Sequence, residues 1–301
     1  MLDFCRELGT NIQVESFIDK ILLITDIKEK RIAIKSITEA ERNIKDYKHY
    51  PTLTCKDNRD FEYRDDESRE KLKSKIIDEL FEMPRLENDD AITLGIGGAK
   101  AITPIRYDKI AFCIIGLPAS GKSGIAAKIS DKYGAYILDS DYAKRKLPEY
   151  TAQIGSTMLL HDESSELVFG NEGLLDRCLK AEANIIIPKI GYNIDSIKEL
   201  CFGLTKAKYK VFLISVDLDR QKATRRAYDR FRETKRYIPL SLVFDAYSNE
   251  PTLNYFKLLQ TEYELFEGYA QISTDVPQKA AVKLIEVKNI KGFEEIDWSV
   301  K

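Results

Sequence analysis

The chain is poor in the residues that build metal centres and covalent frameworks. Histidine occurs twice in 301 residues, as His49 and His161, which excludes a His-rich metal site. The five cysteines, Cys5, Cys55, Cys113, Cys178 and Cys201, are scattered, odd in number and never spaced C-x-x-C. That spacing excludes a disulfide framework and a structural zinc site, and a reducing cytoplasm is the expected location. No apolar run approaches the ~20 residues needed to cross a bilayer. The opening Met1-Leu-Asp-Phe-Cys-Arg-Glu carries acids where a signal peptide has a basic region. Neither charge sign is in excess: 47 Lys and Arg stand against 49 Asp and Glu, a formal charge of -2. This argues against broad electrostatic binding of nucleic acid. There are no internal repeats and no low-complexity tracts.

What is present fits a soluble globular protein of one large or two modest domains, with 44% hydrophobic and 32% charged residues. Residues 1–105 carry no catalytic signature and read as a mainly helical extension. Ser36–Tyr47 is helix-compatible. Leu72, Ile76, Ile77, Leu80 and Phe81 recur at helical spacing across 68–83. "RIAIKSI" (31–37) alternates like a short strand, and the Gly-rich stretch 93–108 reads as a connector. From 106 onward the pattern changes. Apolar strands are expected at 109–116, 135–141, 184–190 and 210–217. Helices are expected at 121–134, 171–182, 195–207, 220–233 and 252–269, with a late edge strand at 281–287. Buried strands alternating with amphipathic helices predict an α/β fold, a parallel sheet flanked by helices, over 106–301.

The sharpest motif is Gly116-Leu117-Pro118-Ala119-Ser120-Gly121-Lys122-Ser123, between an apolar strand and a helix. Such a loop turns successive backbone N–H groups toward anionic oxygens, and the helix N-terminus adds partial positive charge. Lys122 can reach the β- and γ-phosphates of a nucleotide, and the Ser123 hydroxyl can ligate Mg²⁺. The loop does not by itself separate a kinase from a GTPase or a motor. No N-K-x-D base-reading motif is present, and no apolar strand ends in Asp-Glu.

"YILDSDYAKRKLPEY" (136–150) ends a second strand with Asp139 and Asp141, at the sheet edge where the loop opens. In extended chain the two acids point the same way. One can assist Mg²⁺, and the other can accept a proton from an acceptor hydroxyl. Asp also commonly caps a helix, a role open to Asp139.

The ordered set GLPASGKS, ILDSDYAKRKLPEY, LLHDESSELV (159–168), NIIIPKIG (184–191) and RRAYDRFRETKRYIP (225–239) resembles the zeta-toxin family of P-loop kinases over roughly residues 109–245. The resemblance implies ATP and Mg²⁺ as cofactors, the sugar 3′-hydroxyl of UDP-N-acetylglucosamine as acceptor, and restraint by an antitoxin. It places the catalytic base on Asp141 and the family's first strand-end acid on Asp139. The phosphate-loop lysine and hydroxyl fall on Lys122 and Ser123. The two phosphoryl-binding arginines fall on Arg236 and Arg226, with Arg230 as the alternate for the second. Asp162 and Glu163 match an acidic substrate-side region, although acids also favour any helix start. His161 matches a substrate-side aromatic position, and Glu172 another acid or a solvated helix residue. After the third strand, the UDP-sugar kinases carry a Glu-Gly-Thr-like stretch. Here Pro188-Lys189-Ile190-Gly191 stands instead, so Lys189 can contact a phosphate.

The sequence thus reads as an ATP-dependent kinase of a hydroxyl on a small molecule, with a UDP-amino sugar first among acceptors. A kinase of another acceptor (a dinucleotide, a nucleoside or a nucleic-acid 5′ end) and a non-catalytic nucleotide switch stay open. Near-neutral charge weighs against the 5′ end, and the Asp141–arginine set weighs against the switch. For residues 1–105 two readings stand: inhibition in cis, or a structural extension of the kinase sheet.

Overall fold

A computed structural model describes residues 5–47, 50–151, 156–277 and 280–299. His49 and the first four residues, weighed above in composition, lie outside them. The described residues form a six-stranded sheet in the order β2-β3-β1-β4-β5-β6. The strands are β1 (Ile110–Ile115), β2 (Tyr136–Ile137), β3 (Ile185–Lys189), β4 (Lys210–Asp217), β5 (Gly268–Ser273) and β6 (Lys283–Lys288). All neighbouring pairs run parallel except β5–β6. Central β1 pairs Cys113 with Ile187 on one side and Leu213 on the other, and all three are buried. A strand covered on both faces by helices has no polar face, which is why β1 reads as an unbroken apolar run.

Helices α1 (Asn11–Phe17), α2 (Ile27–Tyr47) and α3 (Asp66–Glu82) precede the sheet. Within and after it come α4 (Lys122–Tyr133), α5 (Ser140–Lys146), α6 (His161–Phe169), α7 (Leu174–Lys180), α8 (Ile194–Lys206), α9 (Arg220–Thr234) and α10 (Glu250–Thr261). The fold is that of a P-loop kinase with a helical N-terminal part. Helix α4 ends on Gly134 in the left-handed conformation (φ 55), with its N–H closing on the Ser130 carbonyl. No helix among the described residues is long and apolar enough to cross a membrane.

Three local expectations are corrected. "RIAIKSI" lies inside α2: the buried apolar positions are Ala33, Ile37, Ala40 and Ile44, a helical rhythm, and Ile32 is left exposed. The late helix stops at Thr261, and the tail of its expected span belongs to β5, whose residues alternate between buried and half-buried. Aromatic residues run through both elements and masked the change of period. The second strand shrinks to Tyr136–Ile137, because Asp139 caps α5 and starts it at once.

The segment before the sheet divides in two by what it packs against. Residues of α3 and the chain after it (Leu72, Ile76, Leu80, Ile92 and Ala99) belong to the main core with β1, β3 and β4. Lys146, almost wholly buried, donates to Glu79 at 2.7 Å and to the Thr93 carbonyl at 2.9 Å, tying α5 to α3. Residues 5–47 form a second core with α9 and the chain after it, through Ala227, Tyr228, Phe231, Tyr237 and Leu240. Polar contacts bind the same face. Arg6 grips Asp245 with two hydrogen bonds of 2.7 Å, and Glu29 accepts from Arg232 at 2.8 Å. Glu41 accepts from the Tyr237 hydroxyl at 2.5 Å.

Candidate phosphoryl-transfer site

The turn after β1 folds as the glycine pattern demands. Gly116 lies so close to β4 that an added Cβ would meet the Val216 carbonyl at 2.5 Å and Ser120 Oγ at 3.0 Å. Gly121 takes φ 90 as it hands the chain to α4, in the left-handed region that a side chain disfavours. The loop is braced from the residue after β5: Thr274 donates its hydroxyl to the Ser120 carbonyl at 2.7 Å, and Arg226 donates to the Thr274 carbonyl at 2.9 Å. Ser123 is exposed at the first turn of α4. Lys122 folds back over the loop and donates to the Gly116 and Leu117 carbonyls, each at 2.6 Å. Desolvation lowers its pKa to about 7, with Asp139 opposing that shift and Arg230 adding to it. The ammonium's hydrogen bonds go to carbonyl oxygens and Asp139 and Asp141 act on it only at a distance, so a bound phosphate supplies the direct counter-charge.

Asp139 and Asp141 meet beside the loop, through a helix start rather than strand alternation. The Asp139 carboxylate accepts the Asp141 N–H at 2.9 Å as the cap of α5. Burial and the Asp141 anion push the Asp139 pKa up. Burial acts the same way on Asp141, but the charges of Arg236, Lys144 and Arg145 outweigh it and hold that carboxyl well below the usual range. Arg236 forms an ion pair with Asp141, and Lys144 approaches its other oxygen at 3.2 Å.

The arginines of α9 separate by their partners. Arg225 pairs with Asp229 and Glu29, and Arg232 with Glu29, toward the N-terminal helices. Arg226 is occupied at Thr274. Arg230 is different: its Nε is buried without a hydrogen-bond partner. Burial and the neighbouring Arg236 lower its pKa to about 10, with Asp141 opposing them. It is the arginine of this helix that shares an electrostatic neighbourhood with both Lys122 and Asp141.

The substrate-side residues scatter. His161 opens α6 with its ring near Lys144 and Asp141; desolvation first, and Lys144 next, lower its pKa. Asp162 is exposed beside it. Lys189, at the end of β3, places its ammonium 3.5 Å from the centre of the Phe169 ring, and desolvation lowers its pKa while Asp139 opposes. Two of the acids belong elsewhere. Glu163 is wholly buried and faces α3: Arg69 donates to it at 2.7 and 2.6 Å, and Thr52 at 2.6 Å. An acid that matches a substrate position in sequence is here one arm of a structural ion cluster, because Arg69 also binds Glu149 at 2.8 Å. Glu172 is exposed in the turn between α6 and α7, at φ 58.

Four residues near the site were not singled out in the sequence. Lys144 and Arg145 follow Asp141 within the quoted motif and one helical turn would have placed them. Thr274 required the unrecognised β5. Asp90, which pairs with Arg145 at 2.7 Å, comes from the charged N-terminal part and carries no sequence signal. Among the described residues no three His, Cys, Asp or Glu side chains cluster as a metal site. A cation here would need the Ser123 hydroxyl, a nearby acid and the oxygens of a bound phosphate. That donor set, all oxygen, suits Mg²⁺.

A parallel sheet with a glycine-rich loop after its central strand, acids at the next strand end and arginines across from them defines a P-loop protein of the kinase type. The zeta toxin family model matches residues 96–258, more than half of the chain. The chain belongs to the zeta toxin family, whose members are kinase-like phosphotransferases. Among solved structures it is similar to one from the PezAT chromosomal toxin-antitoxin system of Streptococcus pneumoniae. The identity is 15%, over 77% of this chain and 87% of that one, with a TM-score of 0.49. It is also similar to the AvrRxo1-ORF1:-ORF2 complex with ATP, at 19% identity over 76% and 72% of the two chains and a TM-score of 0.47. The complex with sulphate ions gives 21% identity over the same shares, with a TM-score of 0.47. A comparison with curated proteins gives no match.

Proposed function

We propose that the chain is an ATP-dependent kinase that phosphorylates a hydroxyl of a small molecule, with the sugar 3′-hydroxyl of UDP-N-acetylglucosamine as the favoured acceptor. The observation that carries this reading is the meeting of Asp141, Arg236 and Arg230 beside Lys122. A switch that only holds a nucleotide needs no proton acceptor opposite two arginines.

The loop from Gly116 to Ser123 binds the phosphates through its N–H groups and Lys122, whose ammonium exchanges carbonyl oxygens for phosphate oxygens. Mg²⁺, when bound, neutralises phosphate charge; Ser123 and Asp139 are the residues to hold it. Asp141 accepts the hydroxyl proton. Its ion pair with Arg236 keeps it ionised, and release of that arginine toward the phosphoryl group restores its basicity. Arg236 and Arg230 stabilise charge on the phosphoryl group. We assign Arg230 rather than Arg226 as the second cation, because Arg226 braces the loop and Arg230 carries an unpartnered buried Nε. His161 and Asp162 line the acceptor side.

Lys189 favours a second reading. A cation stands where UDP-sugar kinases carry an acid-containing stretch, which suits a different phosphate-bearing alcohol such as a dinucleotide. An ATP-consumption screen against UDP-sugars, nucleosides, NAD and oligonucleotides separates the two acceptors. Asp141→Asn should lower turnover at least ~100-fold, the usual contribution of a positioned base. Equal turnover by the variant refutes the assignment.

The toxic activity implied by the family would be restrained by an antitoxin or by the chain itself. We place the functional boundary near residue 48. Residues 5–47 share a core with α9 and Tyr237, next to Arg236, and Ala119 of the phosphate loop packs against that same core, so the segment is placed to hold both the arginine-bearing segment and the loop. Residues 50–101 belong to the kinase core.

A further inference from the structure

We propose that Asp90, from the turn after α3, is a positioning residue for Arg236, holding that guanidinium in the site while Asp141 takes up a proton. This rests on the kinase reading above.

Asp90 lies outside the span matched by the family, residues 96–258. Its Oδ1 accepts from Arg145 at 2.7 Å and lies 4.0 Å from the Arg236 guanidinium. Arg236 therefore has two carboxylates near it, Asp141 in direct contact with one guanidinium nitrogen and Asp90 at 4.0 Å from another. The Arg236 side chain is 10% exposed while that of Asp90 is 43% exposed, so solvent weakens the longer contact and leaves Asp90 the lesser of the two holds. Arg145 is buried as well, and Asp90 is its only carboxylate within 4.0 Å among the described residues. Asp90 also acts electrostatically on Arg230. One acid from the N-terminal part thus serves three arginines around the transfer site.

The chemistry explains why a second carboxylate is needed. Arg236 leaves Asp141 for the phosphoryl group before Asp141 takes the hydroxyl proton, and once Asp141 is protonated it has no charge with which to hold the arginine near. The arginine is required at that moment, facing the phosphoryl group. Asp90 takes no part in the proton transfer, so its charge persists through the step. Arg145, buried and paired with Asp90 at 2.7 Å, fixes the acid in turn, so the carboxylate keeps its place near the Arg236 guanidinium.

The test needs no turnover. Arginines over the γ-phosphate are read in the preference for a non-hydrolysable ATP analogue over ADP, measured by calorimetry on the full chain with Mg²⁺. Arg236→Gln should lower that preference about tenfold, and Asp90→Asn by a similar factor with ADP affinity unchanged. The double variant should lose no more than Arg236→Gln alone, since residues acting through one another are non-additive. Asp90→Glu should recover most of the preference, which a purely structural loss would not allow. Additive losses overturn the proposal, as does an Asp90→Asn protein with undiminished preference and an unchanged melting temperature. If wild-type protein binds the two nucleotides alike, the kinase reading fails at its root and this inference with it. An Asp90→Asn protein with undiminished preference beside a lowered Arg236→Gln overturns this inference alone and leaves the kinase reading standing.

Discussion

The Lys122 ammonium gives the most quantitative test. In the free protein its pKa is lowered to about 7, chiefly by desolvation. Bound phosphate oxygens favour the charged form, so nucleotide binding must raise that pKa toward or beyond the ordinary lysine value of roughly 10.4. Binding is then coupled to proton uptake, and the amount follows from the fraction of neutral lysine in the free state. At pH 8 a group of pKa about 7 is about 90% neutral, so binding should take up about 0.9 proton. At pH 7 the figure is about 0.5, and at pH 6 about 0.1. Isothermal titration calorimetry with Mg²⁺ and an ATP analogue, in buffers of different ionisation enthalpy, reads the number directly. Lys122→Arg is the control: arginine keeps its proton throughout this range, so uptake should vanish while the positive charge remains. Uptake that is flat from pH 6 to 8, or that persists in Lys122→Arg, would refute the desolvation argument. The same coupling has a sign for affinity: above pH 7, each further rise makes binding weaker, because more of the lysine must be recharged.

Other outcomes follow from the packing. Arg69→Ala removes the cation shared by buried Glu149 and Glu163, and should cost about 3–5 kcal/mol in urea unfolding at pH 7. Glu163 is opposed by burial but held below its ordinary pKa by Arg69. Its contribution in the wild type is present above the unfolded-state pKa and lost as pH falls through the lowered folded one, whereas the variant gains from protonation. The gap should therefore narrow on acidification, and a gap independent of pH would sink the idea. Gly116→Ala places a Cβ 2.5 Å from the Val216 carbonyl; overpacking of this kind costs about 1–3 kcal/mol, seen as a lower melting temperature together with weaker nucleotide binding. Deleting residues 1–48 should raise kinase turnover if that segment restrains Arg236 through Tyr237. Glu29→Ala with Arg6→Ala in the full chain should do so more weakly, and unchanged initial rates in both proteins, each still folded by circular dichroism, would leave the segment a plain structural extension.

The sequence alone determined the fold class, the phosphate loop and the family, because those signals are local. A buried parallel strand must be apolar throughout, and a loop that wraps phosphates must be glycine-rich at fixed spacing next to Lys122. The order in which the motifs follow one another is also written in the chain. Tertiary structure decided which candidate faces the site. Arg226 and Arg230 share one helical face in sequence, yet Arg226 is captured by the carbonyl of Thr274, just past β5, a strand hidden in the pattern. Glu163 looks like a substrate acid until Arg69, 94 residues earlier, occupies it. Asp90 carries no signal at all, because its partners Arg145 and Arg236 lie 55 and more residues away. Charge pairing acts through space between groups distant in sequence, and only the folded chain fixes which carboxylate each cation finds.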